Sequence, residues 1–313
     1  MNRCITRSAG LLAAVALVGI LVGCSAGAAG PEAPAGGIVI EDFAGRKLTF
    51  AQPPQRIAAL GNGEVDIIYA LGGTLVGRPE VEGVPRIEAA REVATVGSVH
   101  TVNMEKLAAV RPEVVLANHP INAADVPLID NLGAEVILTS ANSLDDIRRQ
   151  IELFGQLLGR ESRAEEVVAE LDEALAAVGA APGEAQRALL VYGAPGTYLA
   201  ALPNSLAGNL LEQAGGRNVA ADFPRLQSFP QYAQLGAERV VEADPDLILI
   251  MTHGDSEEVE RGFVREMESN AAWNGLRAVK EGRIHVLPRA LFGTNPGTKA
   301  ADAVQLLAEL LGA

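Results

Sequence analysis

A single pattern of helix, proline, strand and histidine occurs twice in this chain of 313 residues, and it constrains the fold more than any other feature. The first copy, at residues 104–120, reads MEKLAAVRPEVVLANHP, and the second, at residues 237–254, reads AERVVEADPDLILIMTHG. In each copy a glutamate, Glu105 or Glu238, lies seven residues before a proline, and an acidic residue, an apolar run and a histidine follow. A short helix that leads into a buried strand is a repeating unit of parallel sheets. The repeat therefore predicts two lobes of similar α/β construction.

The segments around both copies also alternate strands with helices. IVIEDFAGRKLTF alternates about a central glycine turn, which predicts a hairpin, and RIAALG followed by GEVDIIYALGG has the pattern of a strand and then a helix. This alternation predicts an α/β fold of two βα lobes with mainly parallel sheets. We expect the N-terminal lobe to span residues 38–142 and the C-terminal lobe to span residues 181–313.

Residues 143–180, between the two lobes, have a helical pattern. The segment continues for more than thirty residues without a proline, although Gly155 and Gly159 weaken its helical propensity. We predict a linking backbone helix here, either as one long helix or as two helices that abut.

The N-terminus has the pattern of a secretory signal. Arg3 and Arg7 precede an apolar run over residues 9–22, which is too short to span a bilayer comfortably and ends in small residues. We therefore predict a signal peptide over residues 1–23, of the kind that lipoproteins carry.

The four residues that end this segment, LVGC, resemble the bacterial lipobox, and the resemblance implies that Cys24 is lipidated after cleavage. Residues 24–37 are rich in glycine, alanine and proline, which predicts a flexible tether. The only other cysteine, Cys4, belongs to the predicted signal, so the mature chain would form no internal disulfide. We expect a protein anchored to the cell membrane by a lipid, on its extracytoplasmic face.

Composition excludes some functions. The formal net charge of -14 argues against nucleic acid as a partner, because phosphate binding needs a basic surface. Ser205 does not lie in a G-x-S-x-G elbow, and LGNGEVD lacks the lysine and the glycine spacing of a phosphate loop. We therefore predict that the chain is not an enzyme and has no catalytic cofactor.

Between Ile38 and Leu311 a series of segments resembles the substrate-binding lipoproteins of bacterial ABC importers, in the group whose lobes are joined by a rigid helix. The segments include PQRIAALG, VGSVHTVNMEKLAAVRPEVVLA, LLEQAGGRNVA, AERVVEADPDLILI and NAAWNGLRAVKEGRIHVLP. The resemblance implies a class III periplasmic-binding-protein fold and a monomer that delivers a small-molecule iron complex to a membrane permease. The ligand would lie between the lobes, at the loops leaving the strands, where open α/β sheets bind ligands.

Within this family the chain resembles haem receptors most. VGSVHTVNMEKL is similar to a loop in which an iron-ligating residue follows a glycine, and His100 occupies that position, although Val99 and Val102 replace expected prolines. A histidine of these receptors follows a second-lobe strand, as His253 does in LILIMTHGD. The resemblance implies haem as the transported ligand, with His100 and His253 as axial ligands of its iron. A histidine replaces an expected methionine at position 100, but two neutral imidazoles are competent iron ligands. His119, the counterpart of His253 in the repeat, is a third candidate for ligand contact.

Other ligands remain open. A ferric siderophore could be neutralised by arginines, for which the candidates are Arg78, Arg86, Arg225 and Arg289. Cobalamin is less favoured because aromatic residues are only 4% of the chain, and its one tryptophan, Trp273, is predicted on a surface helix. A metal-ion receptor could combine His100, His119 and His253 with Asp255. A hydrolase is the remaining alternative. The fourth histidine, His285, lies within a predicted strand, and we predict that its role is structural.

The resemblance also implies a docking surface for the permease. In such proteins an acidic residue on each lobe meets arginines of the transporter. Glu238 fits this role in the second lobe, and Glu105, its counterpart in the repeat, fits it in the first, with Asp125 as a second candidate there. Alternatively, a carboxylate at the start of a helix only stabilises the helix dipole.

Overall fold

The computed structural model describes residues 37–81, 85–98, 100–179, 184–194, 197–252, 259, 261–263, 265 and 273–312. The predicted signal peptide, Cys24 and the predicted tether up to residue 36 lie outside the described residues, as do His253 and Asp255. Within the described part of the chain, no helix combines the length and the apolar character needed to cross a bilayer.

The first lobe contains a hairpin and a parallel sheet. The hairpin pairs β1 (Ile38–Glu41) with β2 (Lys47–Phe50), and Gly45 in its turn has a φ of 75°, as the sequence predicts. All four strand pairs of the sheet are parallel, in the order β5-β4-β3-β6-β7. These strands are β3 (Ile57–Ala59), β4 (Gly77–Arg78), β5 (Ala94–Thr95), β6 (Val114–Asn118) and β7 (Glu135–Thr139). The helices of this lobe are α1 (Asn62–Ala70), α2 (Met104–Ala109) and α3 (Val126–Asp130).

The second lobe has a mixed sheet in the order β11-β9-β8-β12-β13, with β10 paired to β8. Strand β8 is parallel to β10 and to β12, and β12 is parallel to β13. Strand β9 is antiparallel to both β8 and β11. Only two residues separate β8 from β9, and such a short connection permits only a hairpin. The strands are β8 (Arg187–Ala194), β9 (Thr197–Ala201), β10 (Arg217–Asn218), β11 (Tyr232–Gln234), β12 (Leu247–Thr252) and β13 (Ile284–Val286). The helices are α6 (Leu206–Gln213), α7 (Ala237–Ala243), α8 (Arg277–Lys280), α9 (Arg289–Phe292) and α10 (Ala300–Leu311).

Two helices, rather than one long helix, occupy the segment between the lobes. They are α4 (Leu144–Leu158) and α5 (Glu161–Ala177), and Gly159 ends the first with a left-handed φ of 63°. Arg148 of α4 pairs with Asp172 of α5 at 2.7 Å, so the second helix folds back along the first. Of the two predicted arrangements, the pair of helices is therefore the one present.

One apolar core extends through both lobes. It contains buried residues of α1, α4, α6 and α10, among them Ile67, Phe154, Leu211 and Leu307. Separate clusters cover the other face of each sheet. Because the central core is shared, moving one lobe against the other would disturb close-packed side chains.

Polar contacts also join the lobes. The Asp66 carboxylate on α1 accepts hydrogen bonds from the backbone N–H and the hydroxyl of Thr298, both at 2.7 Å. Asn295 donates to the side-chain carbonyl of Gln150 on α4 at 2.8 Å, and Arg86 donates to the Ala290 carbonyl at 2.7 Å. These bonds and the common core favour a pre-formed cleft.

The position predicted for Trp273 is wrong. Its side chain is only 2% exposed and lies in a short 3-10 turn (Trp273–Gly275) rather than on a surface helix. Its ring packs edge-on against Phe263, with the ring centroids 5.6 Å apart. The tryptophan therefore belongs to the second-lobe core and does not contribute to a ligand platform.

Candidate functional site

A cavity of about 680 Å³ lies between the lobes, at the carboxyl ends of the parallel strands. This volume is typical of sites for drug-sized ligands and cofactors, which span roughly 300–1,000 Å³. Its lining includes residues that follow β3, β6 and β7 in the first lobe and residues of β8, β9, β11 and β12 in the second. Its lining side chains include Glu64, His100, His119, Gln150, Tyr192, Phe229, Tyr232, Met251 and Asn295.

His100 lies at the tip of a tight turn on the first-lobe side. The ends of the turn are bridged between Gly97 and Val102, and Ser98 and Thr101 exchange backbone hydrogen bonds of 2.9 and 3.2 Å. The φ of Gly97 is 98°, a conformation that favours glycine. The turn holds an exposed imidazole at the cavity without burying it in the core.

His119 lines the same cavity from the end of β6. Its backbone N–H donates to the Thr139 carbonyl at 2.7 Å, which extends the pairing of β6 with β7, and its side chain is half-buried. The structure thus brings His100 and His119 to one cavity, both from the first lobe. Met251, two positions before His253 and near the end of the buried strand β12, lines the opposite lobe.

The second-lobe wall is aromatic and apolar. Tyr192 of β8 and Tyr232 of β11 have ring centroids 5.3 Å apart at an angle of 53°. Burial, with a smaller effect of the neighbouring Tyr192, raises the pKa of Tyr232 to about 12, and burial also raises the pKa of Tyr192. Both phenols are therefore protonated and neutral near pH 7. Exposed apolar side chains, Phe229 from this lobe and Ile121 from the other, also border the cavity.

The remaining polar lining consists of neutral side chains and one buried acid, Glu64. Gln150 of α4 donates to the Ser140 carbonyl at 3.0 Å, and it accepts the bond from Asn295 described above. Glu64, in the first turn of α1, is 4% exposed, and its Oε1 lies 2.6 Å from the Thr139 hydroxyl. Burial raises the pKa of the Glu64 carboxyl, and the hydrogen bonds that its ionised form would accept from Thr139 and from its own backbone N–H lower it by less.

None of the described residues that line the cavity is an arginine or a lysine. The four arginines considered for a siderophore lie elsewhere: Arg78 donates to the Ala90 and Pro79 carbonyls, Arg86 bonds to the other lobe, and Arg225 and Arg289 are outside the lining. Within the described part of the chain, histidine, cysteine and carboxylate side chains also form no group of three that could hold a metal ion.

The three candidate docking carboxylates differ in their surroundings. Glu105 and Glu238 are exposed residues in the first turns of α2 and α7. Asp125 is half-buried and accepts a hydrogen bond of 2.9 Å from the side chain of the buried Asn122. This bond gives Asp125 a structural role, whereas the two glutamates offer carboxylates to solvent.

Ser205, considered for a hydrolase, is a helix cap. Its hydroxyl donates to the Leu202 carbonyl at 2.6 Å and accepts from the backbone N–H of Gly208 at 3.0 Å. Both bonds stabilise the start of α6 and commit the hydroxyl to a structural role.

Comparison with known proteins identifies the family. A model of the periplasmic binding protein family matches residues 57–291, which is more than half of the chain. The chain belongs to the periplasmic binding protein family. Its members are transport-associated binding proteins, and this chain is a substrate-binding protein of an ABC importer, with a membrane permease and a small molecule as partners.

Individual members of the family extend this comparison. The high-affinity heme uptake system protein IsdE of Staphylococcus aureus (strain MRSA252) is 28% identical over 223 residues, which cover 70% of this chain and 75% of IsdE. The crystal structure of S. aureus IsdE complexed with heme has a TM-score of 0.73 at 26% identity and covers 82% of this chain and 98% of that one. The crystal structure of the ABC-type Fe³⁺-hydroxamate transport system from Saccharomonospora viridis DSM 43017 has a TM-score of 0.70 at 26% identity. It covers 88% of this chain and 99% of that one.

Sequence reasoning missed several residues of the cavity: Glu64, Gln150, Tyr192, Tyr232 and Asn295. Two of them carry a recognisable signal, since Tyr192 lies near the end of the strand RALLVYG and Glu64 lies just after RIAALG. Both positions are close to the carboxyl ends of strands, where parallel sheets bind ligands.

Proposed function

We propose that this periplasmic binding protein captures haem in the interlobe cavity and delivers it to an ABC importer, with its iron held by histidine. The observation that carries the proposal is the position of His100, an exposed imidazole at the border of a cavity that has tyrosines on the facing lobe. The similarity to IsdE, a heme uptake protein, supports the same ligand.

The chemistry of the cavity suits a flat iron macrocycle. A porphyrin has apolar faces, which Tyr192, Tyr232, Leu199 and Met251 can contact, and an iron atom that a neutral imidazole can coordinate. The described lining offers no arginine or lysine to neutralise a strongly anionic ferric complex. His253, which follows β12, is proposed as the second iron ligand, and His119 as a further contact.

Titration of the purified protein with hemin tests this proposal. We expect a Soret band that is altered in position and intensity by His100→Ala and by His253→Ala. The His285→Ala variant is the matched control, because His285 lies in β13 and does not line the cavity. The absence of hemin binding would refute haem as the ligand. An unchanged spectrum in both ligand variants would refute the assignment of the histidines even if hemin bound.

A ferric hydroxamate is the second candidate ligand, because the Saccharomonospora viridis protein is as similar in identity as the IsdE structure. A hydroxamate complex without net negative charge would not require arginines in the cavity. Calorimetric titration with hemin and with a ferric hydroxamate separates the two. Tighter binding of the hydroxamate would replace haem as the proposed ligand.

We also propose that Cys24 carries a lipid that holds the protein at the extracytoplasmic face of the membrane. The support is the LVGC sequence at the end of the predicted signal. Cells supplied with radiolabelled palmitate should label the wild-type protein and should not label the Cys24→Ala variant. An unlabelled wild type, or a labelled variant, would refute lipid attachment at this residue.

A further inference from the structure

Glu64 is the one acidic side chain among the described residues that line the cavity, and it is 4% exposed. It lies close to the backbone of the turn before α1, since a Cβ placed on Gly61 would be 2.1 Å from its Oε2. The proposed function assigns no role to this carboxyl. A buried acid without a cation is costly in its charged form, so its protonation state affects what the cavity can bind.

The hydrogen bonds around Thr139 indicate that Glu64 carries a proton. The Thr139 hydroxyl lies 2.6 Å from Oε1 of Glu64 and 3.1 Å from the carbonyl oxygen of Ala117. A hydroxyl has one proton to donate, and a carbonyl can only accept. Both contacts are satisfied when Thr139 donates to Ala117 and the Glu64 carboxylic acid donates to Thr139.

Among the described residues that line the cavity with Glu64, none is an arginine or a lysine, and its own backbone N–H is the donor that still favours the charged form. Its carboxyl contacts Thr139 at the end of β7 and lies near Gly61 in the turn before α1, and the neighbouring Gly63 lies against Asn295. The titratable groups that share the cavity or adjoin it are His100, His119, Tyr192, Tyr232, Asp66 and Asp146. Asp66 and Asp146 are each occupied by hydrogen bonds, from Thr298 and from the Asn142 backbone respectively. Burial accordingly raises the pKa of Glu64.

We propose that Glu64 is a neutral carboxylic acid that keeps negative charge out of the cavity and so lets it admit a ligand that bears carboxylates. This inference rests on the proposed function, because haem carries propionate groups. The affinity of a ligand without carboxylates would not be improved by a neutral Glu64. Ionisation of Glu64 would place a buried negative charge in the cavity that holds those groups and weaken their binding by Coulomb repulsion.

The protonation state can be measured without any ligand. An infrared difference spectrum between the wild type and Glu64→Gln near pH 7 should show the C=O stretch of a protonated carboxyl that the variant lacks. Glutamine keeps a donor for Thr139, so the variant imitates the neutral acid. The absence of this band would refute the inference, whatever the protein binds. If Glu64→Gln fails to fold, as judged by circular dichroism, Glu64→Met removes the same band.

Hemin affinity then tests the consequence. The ratio of the wild-type Kd to the Glu64→Gln Kd should stay near one while the band persists and should rise about tenfold over the pH range in which the band disappears. Shared effects of the histidines cancel in this ratio. The exposed Glu80→Gln is the control and should follow the wild type, and hemin dimethyl ester should give a constant ratio. A ratio that does not follow the band would refute the inference, whereas failure of all these proteins to bind hemin would refute only the proposed function.

Discussion

The pair formed by Asp66 and Thr298 offers a direct test of how firmly the two lobes are joined. The Asp66 carboxylate on α1 receives two hydrogen bonds from Thr298, and the two residues lie 232 positions apart in the chain. Asp66→Ala removes both bonds, and Thr298→Val removes only the bond from the hydroxyl.

The expected magnitude follows from these bonds. Hydrogen bonds to a charged group stabilise a protein by about 1.5–3 kcal/mol each, and partial exposure of Asp66 places both at the lower end of that range. We therefore expect Asp66→Ala to reduce the free energy of unfolding by about 2–4 kcal/mol and Thr298→Val by about 1–2 kcal/mol. In a double-mutant cycle the coupling energy should be about 1–2 kcal/mol, since the hydroxyl bond is lost in either single variant.

Urea unfolding followed by circular dichroism measures these energies. The control is Glu92→Ala, an exposed carboxylate of the first lobe, which should change the free energy of unfolding by less than about 0.5 kcal/mol. Additive effects of the two variants, with no coupling energy, would contradict the contact. An unchanged stability of Asp66→Ala would contradict the idea that the lobes are held together at this point.

Three further predictions concern docking, pH dependence and the linking helices. Glu105→Lys and Glu238→Lys should block uptake of the ligand in cells and leave hemin affinity unchanged, because both residues are exposed and outside the cavity. A loss of hemin affinity would argue against a role in docking. The pKa of Tyr232 rises from an ordinary value of 10 to about 12, so its stabilising effect is complete below pH 10 and is lost as the pH rises toward 12. Urea unfolding across that range should therefore show a weaker pH dependence for Tyr232→Phe, and identical slopes would contradict the shift. Gly159→Ala should lower the free energy of unfolding by about 1 kcal/mol, because alanine is strained at a φ of 63°, and a neutral effect would show that the turn can adjust.

The sequence predicts the parts of the site that lie at the ends of strands. Apolar runs identify β6 and β12 as buried strands, and the carboxyl ends of parallel strands share one edge of a sheet. For that reason the position of His119 at the cavity could be anticipated from the repeat, whereas Met251, at the matching end of β12, was not among the predicted site residues. Local patterns of this kind need no information about distant segments.

Other features depend on contacts between distant parts of the chain. Tyr232 reaches the cavity because β11 pairs antiparallel with β9, and no local pattern indicates that partner. Trp273 is buried because residues far from it in the chain cover it, although its neighbours suggest a surface helix. The turn at Gly159 was ambiguous, since a glycine inside a helical pattern can either be tolerated or end the helix. Tertiary packing decides each of these cases.

The buried position of Trp273 gives the molecule a built-in optical probe. It is the one tryptophan of the chain, and it lies among apolar side chains of the second lobe, next to Phe263. An indole in such surroundings emits fluorescence at shorter wavelengths than one in water. The emission of Trp273 is not overlapped by that of a second tryptophan. A red shift of the emission would therefore report the opening of the second lobe alone, while the circular dichroism of the whole chain reports both lobes. Comparing the two signals would show whether the lobes unfold together or one after the other.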